Sequence, residues 1–157
     1  MTRESSPLVQ PGNVLRHFTP EETTALVTQW LESFGADRQG VNAKAYLWHV
    51  FSGARYPSLS GAEAIAEYEK QAALEYVVLS NDRKSAFSTD ALPNSSSLSD
   101  YYVFPANLVW TMAFTHEDGW LGPYFARHAD FAALNQINLE KILKHRQAES
   151  ARLNGWR

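Results

Sequence analysis

Residues 101 to 126, YYVFPANLVWTMAFTHEDGWLGPYFA, constrain the fold more than any other stretch. β-branched and aromatic residues dominate, and the turn residues Pro105, Asn107 and Asp118-Gly119 fall at short intervals. Such a run suits a half-buried pleated surface and reads as consecutive antiparallel strands over 101–104, 108–117 and 120–126. Asp118-Gly119 is a strong signal for a two-residue hairpin turn. That turn pairs Glu117 with Trp120, His116 with Leu121, Ala113 with Tyr124 and Met112 with Phe125. One face then carries Trp110, Met112, Phe114, His116, Leu121, Pro123 and Phe125. The other carries Thr111, Ala113, Thr115, Glu117, Trp120 and Tyr124, because side chains alternate along a strand.

A meander of this kind needs covering elements, and the rest of the chain supplies them. TPEETTALVTQWLESFG has Thr19 as N-cap, Pro20 at the first helical position and Glu22 three residues after the cap, a capping box. Leu26, Val27, Trp30, Leu31 and Phe34 follow on one helical stripe, and Gly35 is the stop. SLSGAEAIAEYEKQA repeats the cap pattern with Ser60 and Glu63 and predicts a helix over 61–72, with Ala62, Ile65, Tyr68 and Ala72 inward. Phe131, Leu134, Leu139, Ile142 and Leu153 predict a third helix with one broad apolar face. Its basic cluster reads as a solvated helix end. AYLWHVFS (45–52) and ALEYVVLS (73–80) read as strands, the former central because both faces are apolar. Residues 1–18 read as an extended arm, and 81–100, with six serines in twenty residues, as a long loop. The expected fold is α+β: a mostly antiparallel sheet of about five strands carrying three main helices, in a single domain spanning 1–157.

Composition removes several function classes. The chain has 157 residues, 45% of them hydrophobic and 20% charged, as a packed globular domain requires. Fourteen basic residues against seventeen acidic give a net charge of −3, which argues against a nucleic-acid surface. There is no cysteine, so thiolate chemistry and cysteine-ligated zinc are excluded. No apolar stretch is long enough to span a bilayer and no secretory h-region opens the chain, so the expected location is cytoplasmic, without a membrane partner.

The chemistry-bearing residues are few. No phosphate-binding glycine loop, nucleophile elbow or paired-histidine zinc motif occurs, so no cofactor is expected. The histidines are His17, His49, His116, His128 and His145. The acid–base candidates are His49, His116, Glu117 and Tyr124; His49, His116 and Glu117 are also the metal-ligand candidates if their strands are neighbours. His116 and Glu117 point to opposite faces of the expected hairpin, so adjacency alone does not pair them. Aromatic richness, mild acidity and the missing catalytic motifs favour a non-catalytic module that binds a protein partner. The alternative is a small enzyme, such as a metal-dependent hydrolase, using His49, His116 and Glu117.

YYVFPANLVWTMAFTHEDGWLGPYF, together with the earlier YLWHVFS, resembles a family of small bacterial proteins classed as a domain of unknown function. The resemblance spans about residues 46–126 and implies a single α+β domain of bacterial origin. It implies no activity, cofactor or catalytic residue. In size and acidity the chain also resembles the immunity proteins that neutralise bacterial toxins.

Overall fold

A computed structural model of the chain describes residues 9–40, 42–96, 98–116 and 122–154. Its centre is the meander expected from 101–126. β4 (Tyr76–Ser80), β7 (Tyr101–Phe104), β8 (Trp110–Phe114) and β9 (Tyr124–Arg127) run antiparallel and adjacent. Side chains alternate across them. Val77, Leu79, Tyr102, Phe104, Ala113, Tyr124 and Ala126 join one core. Tyr76, Val78, Tyr101, Val103, Trp110, Met112 and Phe125 join another on the opposite face. Both faces of the sheet are therefore dry, which explains why its strands carry so few charges.

The β8–β9 ladder pairs Ala113 with Tyr124 and Met112 with Phe125, the same pairs expected from the sequence. The turn itself, residues 117–121, lies outside the described residues. Gly122 anchors the return strand. It has φ of +102°, and a Cβ there would sit 2.9 Å from the Thr115 side chain, so only glycine fits without displacement.

The sheet is larger than the expected five strands. Among the described residues it has seven, in the order β2-β5-β4-β7-β8-β9-β3, with β2 at Val14–His17, β3 at Leu59–Ser60 and β5 at Ala86–Thr89. A separate pair joins β1 (Val9–Gln10) to β6 (Ser95–Ser96). Two segments read as irregular thus supply strands. The arm gives β1 and β2. The serine-rich loop gives β5, which returns from β4 through a tight turn in which the Asp82 carboxylate accepts from Ser80 Oγ at 2.6 Å and Lys84 N at 2.9 Å. Serine is no bar to a strand when its neighbours bury it, and Ser88 and Thr89 are fully buried here.

AYLWHVFS does the reverse. It is not a strand. Overlapping turns lead into a short helix, α2 (His49–Ser52), through hydrogen bonds from His49 N to Tyr46 O and Val50 N to Leu47 O. Its buried positions are Leu47, Trp48, Val50 and Phe51, a helical spacing rather than a period of two. A short run apolar on both sides fits either geometry, and here packing against the sheet decided.

α1 (Pro20–Phe34) forms as expected, with Thr19 Oγ1 accepting from Glu22 N at 3.1 Å and the Glu22 carboxylate accepting from Thr19 N at 2.8 Å. It lays Trp30 and Phe34 on one sheet face, where Trp30 Nε1 donates to Thr111 Oγ1 at 2.9 Å. α3 (Gly61–Glu69) covers the opposite face with Ala64 and Tyr68. It is shorter than expected, and Ser60 makes no side-chain cap. Ile65 is 39% exposed rather than inward. α4 (Phe131–Asn154) is the largest departure in packing. Phe131 and Leu134 touch the core beside α3, but Leu139, Leu143 and Leu153 are exposed and most of the helix projects from the body.

Candidate functional site

The candidate site lies where the turn segment 42–52 meets the ends of β7 and β8. A buried network holds it. Asp100 sits just before β7 with its side chain only 6% exposed. Its Oδ2 accepts from the Trp48 indole Nε1 at 2.9 Å. Both of its oxygens lie 3.0 Å from His116 Nδ1. Asn81, at the end of β4, donates its backbone N–H to the Asp100 carbonyl at 3.1 Å. Its side-chain oxygen accepts from Leu47 N at 3.1 Å and from the Tyr102 hydroxyl at 2.6 Å. The Tyr102 oxygen in turn accepts from Trp48 N at 3.0 Å. Burial pushes the Tyr102 phenol well above its ordinary range, so it stays a neutral donor.

Around this network stand the rings. His116 packs against Tyr46 at 5.3 Å between centroids and Trp48 at 6.3 Å. His49 packs against the same two, at 5.4 Å and 4.7 Å, and its Nδ1 lies 2.8 Å from the Asn42 carbonyl oxygen. Tyr124 stacks beneath Trp48 at 6.1 Å. Tyr46, Asn81, Asp82, Leu98, Ser99 and His116 border an open depression. On its rim, hydrogen bonds from Ser80 and the Lys84 amide hold the Asp82 carboxyl below its usual range, so it is ionised at neutral pH.

Three of the four sequence candidates therefore converge on Trp48. His49 and His116 flank it and Tyr46, and Tyr124 is floor rather than surface, at 6% exposure. Glu117 lies outside the described residues. His116 leaves its expected face. The strand ends at Phe114, the chain bends at His116, and the imidazole joins Trp48 and Tyr46 on the side of Tyr124 instead of the side of Phe114. The residue missed in the sequence is Asp100. It reads as the end of a polar loop, and only the strand beginning at Tyr101 fixes it beneath the histidine.

The pair has a definite chemical meaning. A carboxylate at Nδ1 favours the tautomer with the proton on Nδ1, which leaves Nε2 as the basic atom and fixes the ring plane. For a metal, the described residues contain no cluster of three His, Asp or Glu side chains that could hold an ion. No described helix is long and apolar enough to cross a membrane.

The fold and this depression define an antiparallel-sheet protein with a histidine–aspartate pair set among aromatic rings. The chain belongs to the family described as Domain of unknown function (DUF4275), whose model matches residues 32–125 and so spans Tyr46, Trp48, His49, Asp100, His116 and Tyr124. No curated protein and no solved structure matches the chain.

Proposed function

We propose that the protein is a soluble cytoplasmic module that acts by binding another protein, in the manner of an immunity protein or regulator, with the depression around Tyr46 and His116 as its contact site. The observation that carries this reading is the fixed state of the rim. His116 is 41% exposed at its side chain yet held from below by buried Asp100. Aromatic and histidine groups already ordered before contact lose little entropy on binding and make effective anchors. The ionised Asp82 beside Tyr46 and Asn81 suits a cationic side chain of the partner, which would meet a carboxylate and a ring face together. The test compares wild type with Tyr46→Ala and His116→Ala in pull-downs quantified by mass spectrometry. A partner retained by wild type and lost from both variants supports the reading; identical retention by all three removes it.

One observation favours a second reading. An Asp100-oriented His116 is the arrangement of a general base, and His49 with Glu117 could complete a metal-dependent hydrolase. Elemental analysis and a hydrolase screen discriminate. A stoichiometric metal and turnover lost in His116→Ala would support the enzyme; no turnover above blank with any substrate class would remove it.

A further inference from the structure

The exposed apolar side chains are not scattered. Among the described residues the large ones, besides Leu15, fall into two groups: Ile137, Leu139, Leu143 and Leu153 on α4, and Leu59, Ile65 and Leu74 on and around α3. The two groups differ in charge. Residues 139–154 carry Lys141, Lys144, Arg146 and Arg152 against Glu140 and Glu149. Residues 59–75 carry Glu63, Glu67, Glu69 and Glu75 against Lys70. The α4 segment as a whole is therefore apolar and basic, and the α3 segment apolar and acidic, with Glu67 already paired to Lys70 and Arg127.

Their placement matters as much as their charge. α3 and the first turns of α4 cover the same face of the sheet, through Ala64 and Tyr68 on one and Phe131 and Leu134 on the other. An open groove runs along α4, with Leu74 and Glu75 from the segment that follows α3 and Pro105 and Asn107 on one side, and Asn138 and Lys141 on the other. Beyond Asn138 the helix leaves the body, and its next sixteen residues span about 24 Å at 1.5 Å per residue. Leu143 is 56% exposed and Leu153 74%. A helix that keeps leucines on a surface without a neighbour is incompletely buried as a monomer.

We propose that the chain associates with a second copy of itself, the basic arm of α4 from each copy covering the acidic α3 surface of the other. A two-fold arrangement needs one surface that is complementary to another on the same molecule and placed so that both contacts close at once. The chain has such a pair on a single face. The arm supplies leucines and cations, the α3 surface supplies apolar side chains and carboxylates, and reciprocal exchange buries both sets. An unrelated partner for α4 would leave the α3 surface uncovered. The proposal is independent of the depression at His116.

Sedimentation velocity on the full chain tests it, between about 5 and about 200 µM. The expected result is a monomer–dimer equilibrium whose dissociation constant rises at least about tenfold between low and high salt, because opposite charges meet across the contact. Leu139→Glu with Leu143→Glu gives monomer with unchanged circular dichroism, since both side chains are exposed in the monomer. A charge exchange supplies the sharper arm. Lys141→Glu/Lys144→Glu/Arg146→Glu makes arm and α3 surface both acidic, and Glu63→Lys/Glu69→Lys/Glu75→Lys makes both basic. Each set alone is monomeric, and mixing the two restores a heterodimer. Monomer at all concentrations for wild type overturns the proposal. So does a dimer indifferent to both charge sets, or a mixture that stays monomeric. The pull-down on Tyr46→Ala and His116→Ala reports separately on the binding site, because neither residue lies on α3 or α4.

Discussion

Replacing Asp100 with alanine probes the site at its centre. Asp100 accepts from a buried indole N–H and faces His116 Nδ1 with both oxygens. Alanine leaves Trp48 Nε1 without its acceptor in a side chain that is 1% exposed. An orphaned buried donor costs about 1–3 kcal/mol. His116 is partly open and recovers water, so its loss adds only about 0.5–1 kcal/mol. The expected destabilisation is therefore about 1.5–4 kcal/mol, which for a chain of this size lowers Tm by roughly 3–16 °C. Asp100→Asn is milder, about 1 kcal/mol, because its oxygen can still accept from Trp48. The asparagine then turns its NH2 toward the imidazole, so Nδ1 must accept and the ring proton moves to Nε2. Urea unfolding followed by tryptophan fluorescence gives the free energies, and the indole N–H resonance of Trp48 reports the bond directly. Asp100→Ala within about 0.5 kcal/mol of wild type, the range of an ordinary surface change, would refute the reasoning.

Trp30→Phe strands Thr111 Oγ1 in the core, whereas Trp110 Nε1 has no hydrogen-bond partner among the described residues. Trp30→Phe should thus cost about 1 kcal/mol more than Trp110→Phe in the same denaturation assay. Gly122→Ala forces a Cβ to within 2.9 Å of Thr115 at positive φ and should lose roughly 2 kcal/mol or more, and a variant as stable as wild type contradicts the packing described at the hairpin. Alkaline pH should unfold the protein. Burial pushes Tyr101 up to about 12 and raises Tyr68 and Tyr102 as well. The native state thus holds protons that the unfolded chain releases near pH 10. Stability is intact below that pH and falls above it by up to about 4 kcal/mol per pH unit for three such groups. Urea titrations at pH 9 and 11 with equal midpoints would contradict this.

How legible the protein was in its sequence varies by element, and the reasons are physical. α1 was legible because capping and periodicity are local signals that agree, and the β8–β9 register because alternating burial of Trp110, Met112, Ala113, Tyr124 and Phe125 fixes which residues face each core. The segment 45–52 misled because it is short and its β-branched and aromatic residues suit a strand, while the helical spacing of Leu47, Trp48, Val50 and Phe51 shows only once their burial is known. β5 hid behind serines that become apolar-like only once β4 and β2 pair with them. α4 showed a helical period but not its partner, since a period states which residues share a face and not whether that face is covered. At the site, His49, His116 and Tyr124 could be named but not arranged. The face of His116 depends on where β8 ends, and Asp100 gains its role only from a contact sixteen residues away in the chain.

The nitrogen chemical shifts of the His116 imidazole, read from a long-range proton–nitrogen correlation spectrum at a pH where the ring is neutral, test the central claim most directly. An imidazole oriented by buried Asp100 shows a protonated Nδ1 and an unprotonated Nε2, and Asp100→Asn inverts the assignment. Free histidine prefers the proton on Nε2, so an Nε2–H ring in wild type, or the averaged shifts of a ring in rapid exchange, contradicts the account.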